Sequence, residues 1–209
     1  MQETAQNPAG SAAANEQLVA LRTDVLNDVE HAVGNLLQRM HHVARSARAE
    51  LGAQGERLHV TLDELEQLLG LFFDYVSPVE LQLRATDGAR VAESLAAQLR
   101  GHGAAVTVEP VAVPAVVADA RTLSRSFALL AQAGARDWDG TAVAIAATRD
   151  ASGEHVAFEV RGAQRAVVVA AAGVLATAVA RRLIELQGGE LRERPTATCL
   201  CSVVLPVAG

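Results

Sequence analysis

The stretch EHAVGNLLQRMHH, residues 30–42, lies at the centre of a long helical pattern that organises the N-terminal half of the sequence. Around it, apolar residues recur at alternating spacings of three and four, the period of one face of an α-helix. This stripe consists of Leu18, Leu21, Val25, Val29, Ala32, Leu36, Met40, Val43 and Ala47. Within it Gly34 is the only glycine and there is no proline, so the pattern predicts one long helix.

A second helical pattern follows a break that contains glycines. The segment LGAQGE, residues 51–56, ends the first stripe at Gly52 and Gly55. The second stripe stops before Pro78 and consists of Leu58, Leu62, Leu65, Leu69, Phe72 and Val76. Two long helices joined by a short loop fold back as a hairpin, and a hairpin cannot bury such stripes alone. The hairpin of residues 16–77 is therefore predicted to pair with a second copy in a dimeric four-helix bundle. Residues 1–15, which are small and polar, predict a disordered lead.

Residues 79–209 have a different character, because helical patterns alternate with short strand patterns. Helices are predicted over 87–100, 121–136 and 177–187, and strands over 104–110, 116–118, 141–150, 154–162, 190–194 and 198–206. The last four strands form two hairpins, with turns at 150–153 and near Pro195. The prediction is an α+β chain in which the second half is an α/β sandwich, a mixed sheet covered on one face by helices.

Composition and charge exclude several classes of protein. The 209 residues carry a net charge of −6, which argues against a general nucleic-acid binder because phosphate binding needs a basic surface. Two cysteines cannot make a disulfide framework, and no Cys/His spacing is typical of a structural zinc site. No apolar run reaches the ~18–20 residues of a membrane span, and the N-terminus lacks the order of a signal peptide. We expect a cytoplasmic protein that does not contact the membrane.

The first helix also carries a polar stripe that is a candidate reactive site. At about 100° per residue, His31, Asn35, Gln38 and His42 share one line on the helix, well away from the apolar stripe. The neutral nitrogen of an exposed imidazole is nucleophilic near pH 7, and a rigid helix holds it in place for an incoming phosphoryl group. The plain alternative is a solvated surface histidine.

The segment HAVGNLLQRM, residues 31–40, resembles the H-box of sensor histidine kinases, in particular the variant H-R-x-K-N-N-L-Q. The residues on matching positions are His31, Val33, Asn35, Leu37 and Gln38. The resemblance implies that His31 is the phosphoacceptor of a dimerisation and phosphotransfer hairpin, supported by Asn35 and Gln38. His41 and His42 are rival acceptors, but neither is followed by the Asn-x-Leu pattern.

The second half resembles the GHKL-type ATP-binding domain of the same kinases, without its nucleotide ligands. The segments VVADARTLSRSFALLAQAGAR, FEVRGAQ and AAAGVLATAVARRLIELQGGELRER stand in the order of the family's nucleotide motifs. Asp119, Leu123 and the Gly188-Gly189 pair match. The two asparagines of the first motif are Leu129 and Ala133, Arg161 or a neighbour replaces the aspartate that reads adenine, and two phosphate-loop glycines are Val174 and Ala176. The resemblance therefore implies a degenerate domain that binds no nucleotide.

Together these features predict a histidine phosphotransferase of a multistep phosphorelay. His31 would take a phosphoryl group from one response-regulator receiver domain and give it to another. The expected partners are a second copy of the chain and receiver domains, with a hybrid histidine kinase as a further candidate. The receiver domain would supply Mg²⁺, so no metal or cofactor is expected on this chain. The alternative is a non-catalytic pseudokinase scaffold that binds a kinase or regulator, and an ATP-dependent kinase ranks third.

Overall fold

The computed structural model describes residues 8–134, 140–162, 171–193, 196 and 198–209. The chain divides into two compact units, one up to Val79 and one from Glu80 onward. Each unit is described by itself below. Across the described residues, none of the helices combines the length and the apolar character that crossing a bilayer requires.

The first unit consists of two helices that pack against each other, α1 (Pro8–Leu51) and α2 (Ala53–Val76). The predicted break over Gly52 and Gly55 is shorter in the structure. Only Gly52 interrupts the helices, with a φ of 53°, and Gly55 lies buried in the first turn of α2. One glycine in the left-handed region is enough to redirect the chain, so the second helix starts at once.

The start of α1 differs from the sequence prediction. A disordered lead was predicted over 1–15, but residues 8–15 are helical, and residues 1–7 lie outside the described part of the chain. The physical reason is composition. Alanine, the strongest helix former, occupies four of these eight positions, and Pro8 takes the first helical position, which proline tolerates.

Packing between the two helices covers only one side of α1. Leu37 and Ala44 are buried, whereas the part of the predicted apolar stripe from Val25 to Val43 lies on the uncovered side. Its exposed members are Val25, Val29, Leu36, Met40 and Val43. On α2, Leu62, Leu71 and Phe73 are buried, and Leu58, Leu65 and Phe72 are exposed. The hairpin thus leaves a large apolar surface uncovered within one copy of the unit.

The second unit contains seven strands and three helices among its described residues. Its elements are β1 (Arg84–Thr86), α3 (Gly88–Gly101), β2 (Ala105–Val108), β3 (Val116–Ala118), α4 (Ala120–Ala133), β4 (Ala142–Arg149), β5 (His155–Gly162), α5 (Ala171–Glu185), β6 (Glu190–Glu193) and β7 (Cys199–Pro206). Five strands form a mixed sheet in the order β2-β4-β5-β7-β6, in which only β2 and β4 are parallel. Strands β1 and β3 form a separate antiparallel pair.

The mixed sheet and both predicted hairpins, β4-β5 and β6-β7, confirm the α/β framework expected from the sequence. Two details differ. Strand β1 was not predicted, because its three residues show no apolar alternation and it pairs with β3 alone. Helix α5 begins at Ala171 rather than Thr177, because the Ala-rich run before Thr177 favours helix despite Gly173.

The core of the second unit lies between the helices and the five-stranded sheet. Alternate residues of β5, namely Val156, Phe158 and Val160, are buried, as expected for a strand with one face in the core. They join a cluster with buried residues of the helices, among which Leu95 of α3, Phe127 of α4 and Ile184 of α5 are almost fully buried. The large apolar side chains of this core are buried within a single copy of the unit.

Candidate functional site

The surface around His31 is built from one side of α1. Six residues line a shallow open depression there: Asn27, Glu30, His31, Gly34, Asn35 and Gln38. Their spacings of three and four place them along one face of the helix. The structure therefore brings together the three residues that the sequence singles out, His31, Asn35 and Gln38, on one exposed surface.

The His31 ring is accessible on this surface. Its residue is exposed, and among the described residues no hydrogen bond or ion pair engages its ring. Asn35 and Gln38 are exposed as well and lie one and two turns further along the helix. Both ring nitrogens of His31 can thus meet a partner from solvent, with amide groups close by to contact a bound oxyanion.

Three further residues on this surface were not predicted as site residues from the sequence. Gly34 carries no side chain, and a Cβ built there would have nothing within 4 Å, so the backbone beside His31 stands open. Glu30 and Asn27 bring one carboxylate and one amide to the same depression. Glu30 and Asn27 precede His31 by one and four residues on the same helix, and this helical spacing could have identified them from the sequence.

The rival histidines of α1 have different surroundings. His42 is exposed. His41 is mostly buried, with 16% of its side chain accessible, and its Nε2 lies 3.2 Å from Glu66 Oε2 on α2. Because His41 is held against α2, its ring is less open to a docking protein than that of His31.

In the second unit, Asp119 matches the first nucleotide motif and has a structural role. It caps α4, since its Oδ1 accepts from the Thr122 amide at 2.8 Å, and its Oδ2 accepts from the Gln82 amide at 2.7 Å. The hydrogen bond from the Thr122 amide is the main cause that lowers the pKa of Asp119. The amide of Asp119 itself donates to Oε1 of the buried Gln187 at 2.8 Å. Both carboxylate oxygens of Asp119 are therefore engaged by the fold.

The residues at the other nucleotide-motif positions offer packing or salt bridges. Leu129 is buried on α4, and Ala176 is buried on α5, the helix that packs against α4. Arg161 lies 2.7 Å from Glu159 and 3.7 Å from Glu109, and its hydrogen bond to Glu159 raises its pKa further. Val174 is 60% exposed at the start of α5.

The Gly188-Gly189 pair that follows α5 is required by the backbone. Gly188 has a φ of 77°, and a Cβ on Gly189 would lie 2.6 Å from the carbonyl oxygen of Val204. Only glycine fits this close approach of the turn to β7. The backbone conformation and the close packing therefore explain why both positions are glycine.

Comparison with known proteins supports the fold. No protein-family model matches the chain, and no curated protein sequence is significantly similar to it. Among solved structures, the chain is similar to full-length ShkA in complex with AMPPNP, with 18% identity and a TM-score of 0.58 over 88% of this chain. It is also similar to the histidine kinase AdeS of Acinetobacter baumannii, with 11% identity and a TM-score of 0.56 over 83% of this chain. The chain spans 45% of the ShkA chain and 96% of the AdeS chain. It therefore has a sensor-histidine-kinase-like fold.

Proposed function

We propose that this chain is a cytoplasmic histidine phosphotransferase, which relays a phosphoryl group between receiver domains of response regulators through His31 and without binding ATP. The observation that carries the proposal is the open His31 ring beside Asn35 and Gln38 on a helix of a histidine-kinase-like fold. The chain supplies the nucleophile and a docking surface, and the receiver domain supplies Mg²⁺ and the phosphorylated aspartate.

The transfer step needs only a neutral imidazole nitrogen. The lone pair of one His31 ring nitrogen attacks phosphorus, an N–P bond forms, and the P–O bond to the donor aspartate breaks. The aspartate leaves as a carboxylate, and the remaining ring N–H proton exchanges with water. Attack by the carboxylate of a second receiver domain reverses these steps. In the proposed complex, Asn35 and Gln38, which line the same depression as His31, donate amide hydrogens to the phosphoryl oxygens.

The second unit supports a role without nucleotide. An amide ligand is replaced by the buried Leu129, an adenine-reading carboxylate by Arg161, and a phosphate-loop glycine by the buried Ala176. Leu and Ala offer no oxygen to a magnesium ion, and Arg161 is already paired with glutamates. The ShkA structure contains AMPPNP, so AMPPNP with Mg²⁺ is the probe of choice. Calorimetry is expected to detect no binding up to millimolar AMPPNP. Binding at one site per chain would instead favour the hypothesis of an ATP-dependent kinase.

The uncovered apolar side of the hairpin supports a homodimer. Leu36 on α1 is 49% exposed and Phe72 on α2 is 48% exposed within a single copy, with further large apolar residues beside each. A second copy of the hairpin would cover them in a four-helix bundle. His31 lies about 140° around α1 from Leu36, so it would stay open in such a dimer.

The decisive experiment follows phosphoryl transfer from isolated receiver domains. Radiolabelled phosphorylated receivers are mixed with the chain, and the adduct is expected to be acid-labile and stable in base, as phosphohistidine is. His31→Gln keeps size and polarity and should abolish labelling, while receiver binding changes by less than about tenfold, or ~1.4 kcal/mol. His42→Gln is the matched control on the same polar stripe and should be labelled normally.

Two results would contradict the relay. Normal labelling of the His31→Gln variant would move the acceptor to another residue. Binding of receivers without transfer from any of them would favour the alternative function, a non-catalytic pseudokinase scaffold in which His31 has no chemical role.

A further inference from the structure

A second group of histidines lies between the two helices of the first unit. His41 extends from α1, and His59 and Asp63 extend from α2, where they stand four residues apart on one face. The ligand atoms of these three residues all lie within 4.8 Å of one another. The group is formed by the hairpin alone, about 15 Å along α1 from His31 and on a different side of the helix.

The ring nitrogens of this group converge on one carboxylate oxygen. His41 Nδ1 lies 3.8 Å and His59 Nδ1 lies 3.9 Å from Asp63 Oδ1. These separations are too long for hydrogen bonds. A tetrahedral zinc ion with bonds of 2.0–2.1 Å holds its ligand atoms about 3.3 Å apart. Around such an ion the two nitrogen–oxygen separations would shorten by about half an ångström, and the two histidine nitrogens, which lie within 4.8 Å of each other, would also move closer together.

The buried Nδ1 of His59 has no hydrogen-bond partner, although the His59 ring packs edge-on against His41 with ring centroids 5.4 Å apart. Its Nδ1 is withdrawn from solvent and is the one buried side-chain nitrogen or oxygen in the described residues that lacks a hydrogen-bond partner. A buried polar atom of this kind calls for a physical reason, because leaving it unsatisfied is costly. A metal ion bound to the lone pair of Nδ1 would supply one.

The other nitrogen of His41 has the partner expected for a metal ligand. Its Nε2 lies 3.2 Å from Glu66 Oε2. An Nε2–H that donates to this carboxylate leaves the lone pair on Nδ1, which is the atom that faces Asp63 and His59. Histidines that bind metals commonly make this outer hydrogen bond to a carboxylate, which fixes the ring and raises its basicity.

We propose that His41, His59 and Asp63 bind a divalent transition-metal ion, with Zn²⁺ as the best match, and that Glu66 positions His41. Two imidazole nitrogens and one carboxylate oxygen are a zinc ligand set rather than one for Mg²⁺ or Ca²⁺. Asp63 is 57% exposed, so water completes the coordination from the solvent side. The ion joins α1 to α2 across the hairpin and stabilises the unit that carries His31.

The test is metal titration of the full chain after removal of any affinity tag and pre-treatment with a chelator. Calorimetry should show one Zn²⁺ per chain with a Kd of about 10 µM or tighter. Co²⁺ should give the strong visible absorption of a tetrahedral site. At a hundredfold excess over Kd, Zn²⁺ should raise the Tm by about 5–10 °C, since it binds only the folded hairpin.

Variants separate this site from other histidines. His59→Gln and His41→Gln should each weaken Zn²⁺ binding at least about a hundredfold and remove the Co²⁺ spectrum, and Glu66→Gln should weaken it about 10–100-fold. His42→Gln and His31→Gln are the controls and should bind Zn²⁺ normally, which also keeps this test independent of phosphotransfer. Circular dichroism confirms that each variant stays helical. Absence of Zn²⁺ binding to the wild type, or unchanged binding by His59→Gln, would overturn the proposal.

Discussion

The two units bury their apolar side chains to different degrees. In the second unit Phe127 and Phe158 are fully buried. In the hairpin unit, Phe72 and Leu36 keep about half of their surface exposed, at 48% and 49%. The second unit is therefore complete as a single copy, whereas the hairpin has apolar surface left over.

The polar groups show the same contrast. Asp119 and the buried Gln187 of the second unit have their oxygens and amides engaged by the surrounding backbone. On the hairpin, His31 is open to solvent, and His59 Nδ1 is buried without a partner. We propose that partner proteins, phosphoryl groups and metal ions bind to the hairpin unit, which has uncovered apolar side chains and polar groups without partners.

The largest expected effect tests this contrast with two phenylalanines. Phe127→Ala removes a fully buried ring and should lower the free energy of unfolding of the second unit by about 3–5 kcal/mol, through lost burial and a cavity. Phe72→Ala should lower the stability of the monomer by less than about 1 kcal/mol, because its ring is half exposed. Urea unfolding of both variants at low protein concentration measures the difference. Equal losses would show that the hairpin is as well packed as the second unit.

The second prediction concerns the uncovered face of the hairpin. Leu36→Glu places a charge at the centre of the exposed apolar stripe, and burying it in the proposed dimer should weaken dimerisation by about a hundredfold or more, ~3 kcal/mol. Leu83→Glu is the matched control, because Leu83 is similarly exposed, at 46%, but belongs to the second unit. Sedimentation equilibrium reads out the dimer Kd. A monomeric wild type at micromolar concentration would remove the four-helix bundle from the proposal.

Periodicity predicted most elements of the second unit, because each of them buries one face within a single copy. The alternation of β5 follows from local residues and is present in the structure. The elements that escaped prediction lack a local signal. Strand β1 has three residues and a partner more than thirty positions away, and the early start of α5 depends on an Ala-rich run without polar spacing.

The candidate sites differ in the same way. The polar line through His31 follows from helical spacing on one element, so the sequence predicts the shared surface of His31, Asn35 and Gln38. The group of His41, His59 and Asp63 is assembled by the return of the chain at Gly52, and no spacing within one helix reveals the approach of His41. No metal site was therefore predicted from the sequence.

The third prediction tests how far the second unit depends on its satisfied polar groups. Asp119→Ala removes the acceptors for the Thr122 and Gln82 amides and should cost about 1–2 kcal/mol of stability. Asp87→Ala is a matched control, since Asp87 caps α3 through one exposed hydrogen bond to the Ala89 amide, and it should cost less than Asp119→Ala. Equal costs in thermal unfolding would show that the Gln82 contact contributes nothing.

The same carboxylate predicts a pH dependence. Hydrogen bonds, first of all from the Thr122 amide, lower the pKa of Asp119 below its ordinary 3.8. Its contribution to stability is therefore complete above pH ~4 and is lost as the pH falls through the lowered pKa of the folded state. Asp119→Asn, which keeps a capping oxygen, should be less stable than wild type at pH 5 and approach it below pH 3. A constant difference across this range in urea unfolding would assign the effect to packing.

The smallest expected effect runs in the opposite direction and returns to the hairpin. Gly34 and Gly70 lie within α1 and α2, and a Cβ at either position would meet nothing within 4 Å. Because alanine loses less backbone freedom than glycine in a helix, Gly34→Ala and Gly70→Ala should each stabilise the hairpin by about 0.5–1 kcal/mol. Thermal unfolding measures this gain.

The two alanine variants should then differ in their rates of phosphoryl transfer. Gly34 lines the depression around His31, whereas Gly70 lies on the other helix and outside that depression. If the bare backbone beside His31 admits the receiver domain, Gly34→Ala slows phosphoryl transfer in spite of its added stability, and Gly70→Ala transfers at the wild-type rate. Equal rates for both variants would show that the opening at Gly34 has no part in docking. The loss of stability that Gly34 causes would then have no explanation in the surface around His31.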